Sequence, residues 1–274
     1  MARTMSNRHA SKRSTDWLRS LRLIGMVHLP ALPGSPSAAV PLDTIMERAI
    51  AEVRLLVGTG FNAVIVENFG DTPFAADQVP PETVAAMAVV TGHITRTVSV
   101  PVGVNVLRND ALAALAVAAV TGAAFIRVNV LSGTYATDQG LISGRARELL
   151  QRRAQVAPPI KIAADVHVKH ATPISQPDIA LAAHEAAYRS SADCVIVSGS
   201  ATGSPANVDD VRRVREAVPD RPIWIGSGAT AETVRDYLQV ANAVIVGTCL
   251  KHEGETTAAL DANRVRAFAR VALK

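Results

Sequence analysis

Ionisable side chains alternate with apolar ones along the segment from Ile160 to Lys169. Successive side chains of a strand point to opposite faces, so Asp165, His167 and Lys169 are predicted to share one face. A histidine titrates near neutral pH, and a neighbouring carboxylate favours its protonated form. We therefore expect Asp165 and His167 to form a catalytic acid–base pair, with Lys169 binding the substrate beside them.

Polar residues also occupy the ends of earlier apolar runs. His28 ends the first run, Glu67 ends the second, and inward positions of the next two runs hold Asn105, Arg127 and Asn129. An unpaired buried polar group costs about 1–3 kcal/mol, so burial of the whole set without a function is unfavourable. We expect His28 and Glu67 to be further catalytic groups. The other three are predicted to orient substrate hydroxyls or to stabilise negative charge.

The last three apolar runs are followed by turns rich in glycine and serine. Glycine lets the backbone approach a ligand closely, and a helix start near Thr230 would add N–H groups and a positive dipole end. We predict that a phosphate or similar anion is bound by Ser198, Gly199, Gly226, Ser227, Gly228, Gly247 and Thr248. A bulky residue at position 228 is expected to weaken binding of a phosphorylated ligand more than folding.

Other chemistry stays open for the same residues. A divalent metal is not favoured, because the first run lacks an His-x-His pair, and no organic cofactor is implied. A covalent lysine mechanism through Lys161 or Lys169 has no second signal in the sequence. Asp165 could also serve only as an ion-pair partner of Lys161 or Arg127. The residues considered as metal ligands are His28, Glu67, Asp165 and His167.

Eight short runs rich in valine and isoleucine recur along the chain, and each is followed by a helix-like stretch. The runs are Leu23–His28, Ala63–Glu67, Val102–Val106, Phe125–Val130, Ile160–Val166, Cys194–Ser198, Ile223–Gly226 and Ala243–Val246. The helix-like stretches lie near residues 42–57, 80–96, 109–120, 144–156, 177–190, 207–217, 230–239 and 260–272. Eight β/α units predict one closed (β/α)8 barrel of the α/β class, with its site at the carboxyl ends of the strands. The alternative, an open doubly wound sheet, would carry a GxGxxG turn after its first strand, which is missing.

Composition indicates a globular protein with a large core, because 49% of the 274 residues are hydrophobic and 19% are charged. No apolar run reaches the ~18 residues of a membrane span, so no membrane partner is expected. Residues 1–22 hold six basic side chains and one acidic one, which leaves 22 basic and 23 acidic residues elsewhere. This argues against a nucleic-acid partner. We interpret residues 1–21 as a solvated tail and residues 22–274 as the barrel domain.

The cysteines and the first residues of the chain bear on its compartment. The two cysteines, Cys194 and Cys249, lie at or next to apolar runs and are interpreted as buried thiols in a reducing compartment. The first residues lack the apolar segment and cleavage site of a secretory signal. We expect a cytoplasmic protein that binds a small phosphorylated ligand, and a homo-oligomer is compatible with the sequence.

Several of these segments resemble the BtpA/SgcQ family. The similar segments are GMVHLPALPGSP at residues 25–36, VENFGDTPF at 66–74, GVNVLRND at 103–110, DVHVKH at 165–170, GSATG at 199–203, GSG at 226–228 and VGT at 246–248. The resemblance covers nearly the whole chain after the tail, and its first two segments are the most specific. It implies a barrel related to ribulose-phosphate-binding enzymes.

Two functions are compatible with this resemblance. Some cyanobacterial members of the family are linked to photosystem I biogenesis, and others belong to sugar-transport settings. The residues favour an enzyme that acts on a small phosphorylated sugar or nucleoside-like molecule by acid–base chemistry. An isomerase, a lyase and an enzyme that cleaves glycosidic bonds all stay open. The alternative is a non-catalytic assembly or biogenesis factor on a barrel scaffold.

Overall fold

The computed structural model describes residues 16–175, 178–199 and 204–274, and eight of its strands are parallel. These strands are β1 (Leu23–His28), β2 (Ala63–Glu67), β3 (Val102–Asn105), β4 (Phe125–Val128), β7 (Lys161–Val166), β9 (Cys194–Val197), β10 (Ile223–Ile225) and β11 (Ala243–Val246). They close into a barrel in the order β1-β11-β10-β9-β7-β4-β3-β2. The predicted (β/α)8 architecture is confirmed.

Helices connect the barrel strands and cover their outer face. They are α2 (Leu42–Gly58), α3 (Pro81–Thr97), α4 (Ala111–Thr121), α5 (Ala146–Val156), α6 (Ile179–His184), α7 (Val208–Ala217), α8 (Val234–Val240) and α9 (Ala262–Ala272), whereas the short helix α1 (Asp16–Ser20) precedes β1. Side-chain oxygens of Asp110, Asp178, Asn207 and Asp261 accept hydrogen bonds from the first turns of α4, α6, α7 and α9. Such caps each stabilise a helix start by about 1 kcal/mol. Among the described residues, no helix is long and apolar enough to cross a membrane.

Apolar side chains of each barrel strand point alternately to its two faces and form two separate cores. One core lies between the strands and the helices and includes Val64, Val66, Val104, Ile126, Ile162 and Ala164. The other fills the barrel and includes Ile24, Met26, Ile65, Phe125, Ala163, Ile196, Trp224 and Ile245. Successive residues of these strands therefore alternate between the two cores, as expected for strands of a barrel. An inward side chain at Gly103 would have its Cβ 2.3 Å from the Phe125 ring, which explains the glycine there.

The amino-terminal end of the barrel is closed by α1, which the sequence analysis placed in a solvated tail. Leu18 and Leu21 are buried in the inner core. The indole nitrogen of Trp224 donates a hydrogen bond to the Leu18 carbonyl at 3.3 Å. The barrel unit thus begins before residue 22, because these apolar side chains fill its lower end. The rest of the proposed tail, residues 1–15, lies outside the described residues.

A small antiparallel sheet at the rim was not anticipated from the sequence. It consists of β5 (Thr134–Thr137), β6 (Gly140–Ser143) and β8 (Ala171–Pro173), in the order β6-β5-β8. The first two strands belong to the loop after β4, and the third belongs to the loop after β7. Their pairing joins two loops at the carboxyl end of the barrel and fixes their shape.

Candidate functional site

The ends of β1, β2 and β3 place three buried polar side chains in one row. His28 is the register partner of Glu67, and Glu67 is the register partner of Asn105. The Asn105 amide donates a hydrogen bond to Glu67 Oε2 at 2.6 Å, and His28 Nε2 lies 3.6 Å from Glu67 Oε1. Three of the residues predicted for the site are therefore in contact, with Asn105 holding the carboxylate beside the imidazole.

His28 is enclosed on several sides. Its ring packs on Phe69 at a centroid distance of 4.8 Å, and a Cβ at Gly247 would lie 2.6 Å from its Cε1 atom. Its Nδ1 atom is buried and has no hydrogen-bond partner among the described residues. Burial, followed by the positive charges of Lys251 and Lys169, lowers the pKa of His28 well below 6.5. The imidazole is therefore neutral at neutral pH and can accept or donate a proton.

The pH dependence of stability should reveal this lowered pKa. Below pH 6.5 the unfolded chain gains a proton at His28 that the folded chain does not bind, so folding is destabilised as the pH falls toward the folded-state pKa. The slope from this one group reaches about 1.4 kcal/mol per pH unit. We expect urea unfolding between about pH 7 and pH 5 to show a steeper loss for the wild type than for His28→Asn. Parallel pH profiles would contradict the assignment.

Two adjoining cavities open at the carboxyl ends of the strands. The first, of about 140 Å³, is called here the glycine lobe and is lined by Met26, His28, Gly226–Thr230 and Ile245–Cys249. The second, of about 210 Å³, is called the phenylalanine lobe and is lined by Phe69, Phe74, Leu107, Arg108, Asn129, Asp138 and His170. Glu67, Arg127 and Lys169 line both lobes. The two lobes thus form one cleft with a shared charged floor.

Backbone N–H groups are available in the glycine lobe. Those of Gly228, Gly247 and Thr248 donate no hydrogen bond to another described backbone group, whereas the Gly226 N–H donates to the Val197 carbonyl at 2.8 Å. Unsatisfied N–H groups in a concave loop are suited to bind an anion. The arrangement fits the predicted anion site at Gly228, Gly247 and Thr248.

Two details of the anion prediction differ in the structure. The helix expected near Thr230 begins instead at Val234, because the Thr230 N–H donates to the Thr233 hydroxyl at 3.0 Å in a preceding turn. Gly228 has a φ of +70°, and a Cβ there would lie 2.2 Å from the Ser204 carbonyl oxygen. A bulky residue at position 228 would therefore strain the loop itself, so that substitution does not separate binding from folding.

Asp165 is engaged in a buried ion pair. Arg127 donates to its two oxygens at 2.8 and 2.9 Å, Asn129 donates at 2.9 Å, and the Ser198 hydroxyl donates at 3.0 Å. Burial opposes the charge on Arg127, but Asp165 outweighs it and raises the pKa of that guanidinium. The ion-pair alternative is the observed arrangement, with Arg127 rather than Lys161 as the partner. Asp165 positions Arg127, and its oxygens are saturated with donors.

His167 does not continue the strand. The last residue of β7 is Val166, and His167 has a φ of +50°. The predicted alternation from Asp165 through His167 to Lys169 is therefore wrong beyond Val166, because the chain turns there toward β8. His167 lines neither lobe of the cleft. Within the described ranges, no group of three His, Cys, Asp or Glu side chains is close enough to hold a metal ion.

Two predicted ligand residues of the sixth run lie beside the cleft rather than in it. Ser198 binds Asp165, as described, and a Cβ at Gly199 would lie 2.1 Å from the Ser204 carbonyl oxygen. Ser227 lines the glycine lobe, and its hydroxyl donates to the same carbonyl at 3.1 Å. These contacts shape the loop that precedes the lobe. Residues 200–203 of the glycine-rich segment lie outside the described residues.

The phenylalanine lobe was missed by the sequence analysis. Its main side chains, Phe69, Phe74, Leu107 and Arg108, come from the loops after β2 and β3. They belong to the VENFGDTPF and GVNVLRND segments, which were singled out for their resemblance only. A signal for them was present in the sequence. These residues follow β2 and β3, and each of those strands ends at an inward polar residue, Glu67 or Asn105.

The cysteines are both free thiols. Cys194 is buried in the inner core as expected, but Cys249 is only partly buried and lines the glycine lobe. Burial nevertheless raises the pKa of the Cys249 thiol to about 11. The thiol is therefore protonated near neutral pH, so it is a poor nucleophile there.

Comparison with known families decides the relationship. The model of the BtpA family matches residues 19–274. The chain belongs to the BtpA family. The photosystem I biogenesis protein BtpA of Synechocystis sp. is 46% identical over 246 residues, covering 90% of this chain and 86% of that protein. An uncharacterized protein of Pyrococcus abyssi is 41% identical over 254 residues, covering 93% and 96%. The BtpA part of the resemblance read from the sequence is confirmed.

Solved structures of other proteins share the fold of this BtpA-family chain. The N-(5'-phosphoribosyl)anthranilate isomerase from Pyrococcus furiosus aligns with a TM-score of 0.57 at 15% identity, covering 92% of this chain and 98% of that chain. KGPDC from Streptococcus mutans aligns with a TM-score of 0.56 at 12% identity, with the same coverage. At such low identity the likeness establishes the barrel fold alone.

Proposed function

We propose that this BtpA-family chain is an enzyme that binds a small phosphorylated compound in its cleft and transfers protons on it. One observation carries the proposal: Gly228, Gly247 and Thr248, whose N–H groups donate to no described backbone group, line the same cavity as the His28–Glu67 pair. A phosphate held by those N–H groups would leave the adjoining carbon and oxygen atoms beside a carboxylate and an imidazole. That is the arrangement required for general acid–base catalysis.

The charges around the cleft suit distinct roles. Glu67 is the proposed base, because Asn105 fixes one of its oxygens and the other faces His28. Neutral His28 is the proposed proton relay. Arg127, held by Asp165, would stabilise negative charge that develops on the substrate. None of these roles requires a histidine that is protonated before the substrate binds, whereas the predicted acid–base pair of Asp165 and His167 did.

The phenylalanine lobe supports a substrate with a ring or other flat group beyond its phosphate. Phe69 and Phe74 lie edge to face with centroids 6.4 Å apart, and both line this lobe. Asn129 Oδ1 is buried without a partner among the described residues, so it is available to accept a hydrogen bond there. Apolar rings with a few fixed polar groups are typical of small-molecule sites. A phosphorylated sugar or nucleoside-like molecule fits this description.

A second candidate function is favoured by the named relative. The Synechocystis sp. protein, 46% identical to this chain, is a photosystem I biogenesis protein. An assembly or biogenesis factor on the same barrel would need no proton-transfer groups. Conversion of a small molecule by the wild type, lost in variants of the cleft, separates an enzyme from such a factor.

Binding of matched phosphorylated and neutral compounds tests the proposal first. We expect ribose 5-phosphate to bind in calorimetric titrations and ribose to bind much more weakly, because only the former supplies an anion. Gly247→Ala should weaken binding of the phosphorylated sugar about tenfold or more, since a Cβ there meets His28 at 2.6 Å and narrows the lobe.

The matched control is Gly58→Ala at the end of α2, where an added Cβ meets no atom within 4 Å. This variant should bind the sugar phosphate as the wild type does. A panel of sugar phosphates and nucleoside monophosphates followed by NMR in D₂O then reports isomerisation, cleavage and deuterium exchange together. Equal binding of neutral and phosphorylated compounds would overturn the proposed anion site.

A further inference from the structure

Lys169 differs in its surroundings from Lys161 and Lys251. Lys161 Nζ lies 3.3 Å from Asp193, and Lys251 Nζ lies 3.1 Å from Glu52. Lys169 has no ion-pair partner among the described residues, although its side chain lines both lobes of the cleft. Among the described lysines, Lys169 is thus the one that lines the space where a ligand would lie.

The backbone at Lys169 is fixed from both sides. Its carbonyl accepts a hydrogen bond from Arg108 Nη2 at 2.6 Å. The preceding residue, Val168, is buried in a small apolar cluster at the rim sheet with Val130, Tyr135 and Ile142. His167 and His170 on either side have φ values of +50° and +56°, so the chain makes a tight turn around the lysine. The amine is therefore presented to the cleft by a constrained loop.

The surroundings of the amine favour its neutral form. Burial is the largest influence and lowers the pKa of Lys169, and the charges of Arg127 and Arg108 act in the same direction. Glu67 and Asp165 oppose this lowering without cancelling it. An amine with a lowered pKa has a larger unprotonated fraction near neutral pH, and the unprotonated amine is the nucleophile.

We propose that Lys169 forms an imine with the carbonyl carbon of a phosphorylated aldehyde or ketone bound in the cleft. The proposal rests on the proposed function for the position of the phosphate, and it names a carbonyl compound as the substrate class. The Nζ lone pair attacks the carbonyl carbon, and the carbonyl oxygen takes up a proton to give a carbinolamine. The hydroxyl group then leaves as water with the second amine hydrogen, which leaves a carbon–nitrogen double bond.

Glu67 is placed to move the protons of this step. It lines both lobes together with Lys169. Among the neighbouring charges, that of Glu67 has the largest effect on the pKa of Lys169. The carboxylate can accept a proton released from nitrogen and return it to the departing oxygen, so the step needs no further reactant. An imine stabilises negative charge on the adjacent carbon, which suits isomerisation and carbon–carbon cleavage among the chemistries left open by the sequence.

Reductive trapping tests the proposal with the full chain. Glycolaldehyde phosphate is the smallest suitable probe, and cyanoborohydride converts an imine into a stable amine of known added mass. The chain holds lysines only at positions 12, 161, 169, 251 and 274, so each modified site can be assigned by peptide mass spectrometry. We expect Lys169 to be labelled at least about tenfold faster than Lys161, because a phosphate bound in the glycine lobe would hold the probe beside the Lys169 side chain, whereas Lys161 lines neither lobe.

Two controls sharpen the result. Lys251 is fully buried and paired with Glu52 away from both lobes, so it should remain unlabelled in the folded chain. Lys169→Arg keeps the positive charge and should abolish only the fast labelling. Inorganic phosphate should slow labelling of Lys169 by the phosphorylated probe and leave Lys274 unaffected.

The failures of the two proposals are distinguishable. Labelling of Lys169 no faster than that of Lys161 would overturn the imine, and undiminished binding of ribose 5-phosphate would then leave the anion site standing. Fast labelling of Lys169 by glycolaldehyde and its phosphate at equal rates would keep the imine and overturn the anion site. The wild-type measurement alone decides the first question, so a variant that fails to fold does not affect it.

Discussion

Glu67→Gln is expected to lower the turnover of a phosphorylated substrate by about 100-fold or more, the usual scale for loss of an acid–base group. Gln keeps the size of the side chain. It can still be held by Asn105, whose amide donates to Glu67 Oε2 at 2.6 Å in the wild type. It cannot take up a proton at the pH of the assay. Binding of the phosphate should persist, because the N–H groups of the glycine lobe are unchanged.

The measurement is the rate of conversion or deuterium exchange by NMR in D₂O, compared with affinity for the same compound. Glu148→Gln is the matched control, because the Glu148 side chain is 49% exposed and pairs with Arg145 at the surface. It should retain wild-type turnover. Retention of turnover in the Glu67 variant would instead remove this carboxylate from the chemistry. A wild type that binds but converts no compound of the panel would favour the assembly factor.

The barrel itself was predictable because its signal is local. The runs that begin at Leu23, Ala63 and Ala243 end at the same residues as the observed strands, and the others differ by one or two residues. Val64 and Val66 face the helices while Ile65 faces the axis, so period-two alternation identified the inward positions. Glu67 followed from that alternation, and His28 followed from its place at the end of the first run, which lies beside the second.

The loops were not predictable because their shape depends on partners distant in sequence. His167 turns out of the strand where Ala171–Pro173 pairs with Thr134–Thr137, more than 30 residues away. A short pattern of alternating residues cannot tell whether the strand continues or the chain turns into such a sheet. The alternation on which the role of His167 was based therefore ends at Val166, whereas Lys169 lies in the turn that follows and still lines the cleft.

Asp165 illustrates a different limit. The sequence indicated that Asp165 and Arg127 both face the barrel axis, and the structure confirms that they do so from adjacent strands. Side-chain types alone do not distinguish a catalytic carboxylate from one that holds an arginine. The number of donors does, because four hydrogen bonds leave little capacity for accepting a substrate proton.

Asp165→Asn is accordingly expected to destabilise the fold. The Arg127 guanidinium is 2% exposed, cannot be deprotonated near neutral pH, and would lose its bidentate carboxylate. Removal of one partner of a buried ion pair costs about 3–5 kcal/mol, because the other charge stays buried without compensation. Urea unfolding at neutral pH measures the free energy of unfolding directly.

The loss of stability in the Asp165 variant is compared with that of a surface variant and of a double variant. Glu148→Gln breaks the exposed pair with Arg145 and should change the free energy of unfolding by less than about 1 kcal/mol. The double variant Arg127→Met/Asp165→Asn removes both charges, so it should be less destabilised than the two single variants combined. A single Asp165 variant as stable as the Glu148 variant would mean that Arg127 finds another counter-charge, for which Glu67 is the candidate because its charge already raises the pKa of Arg127.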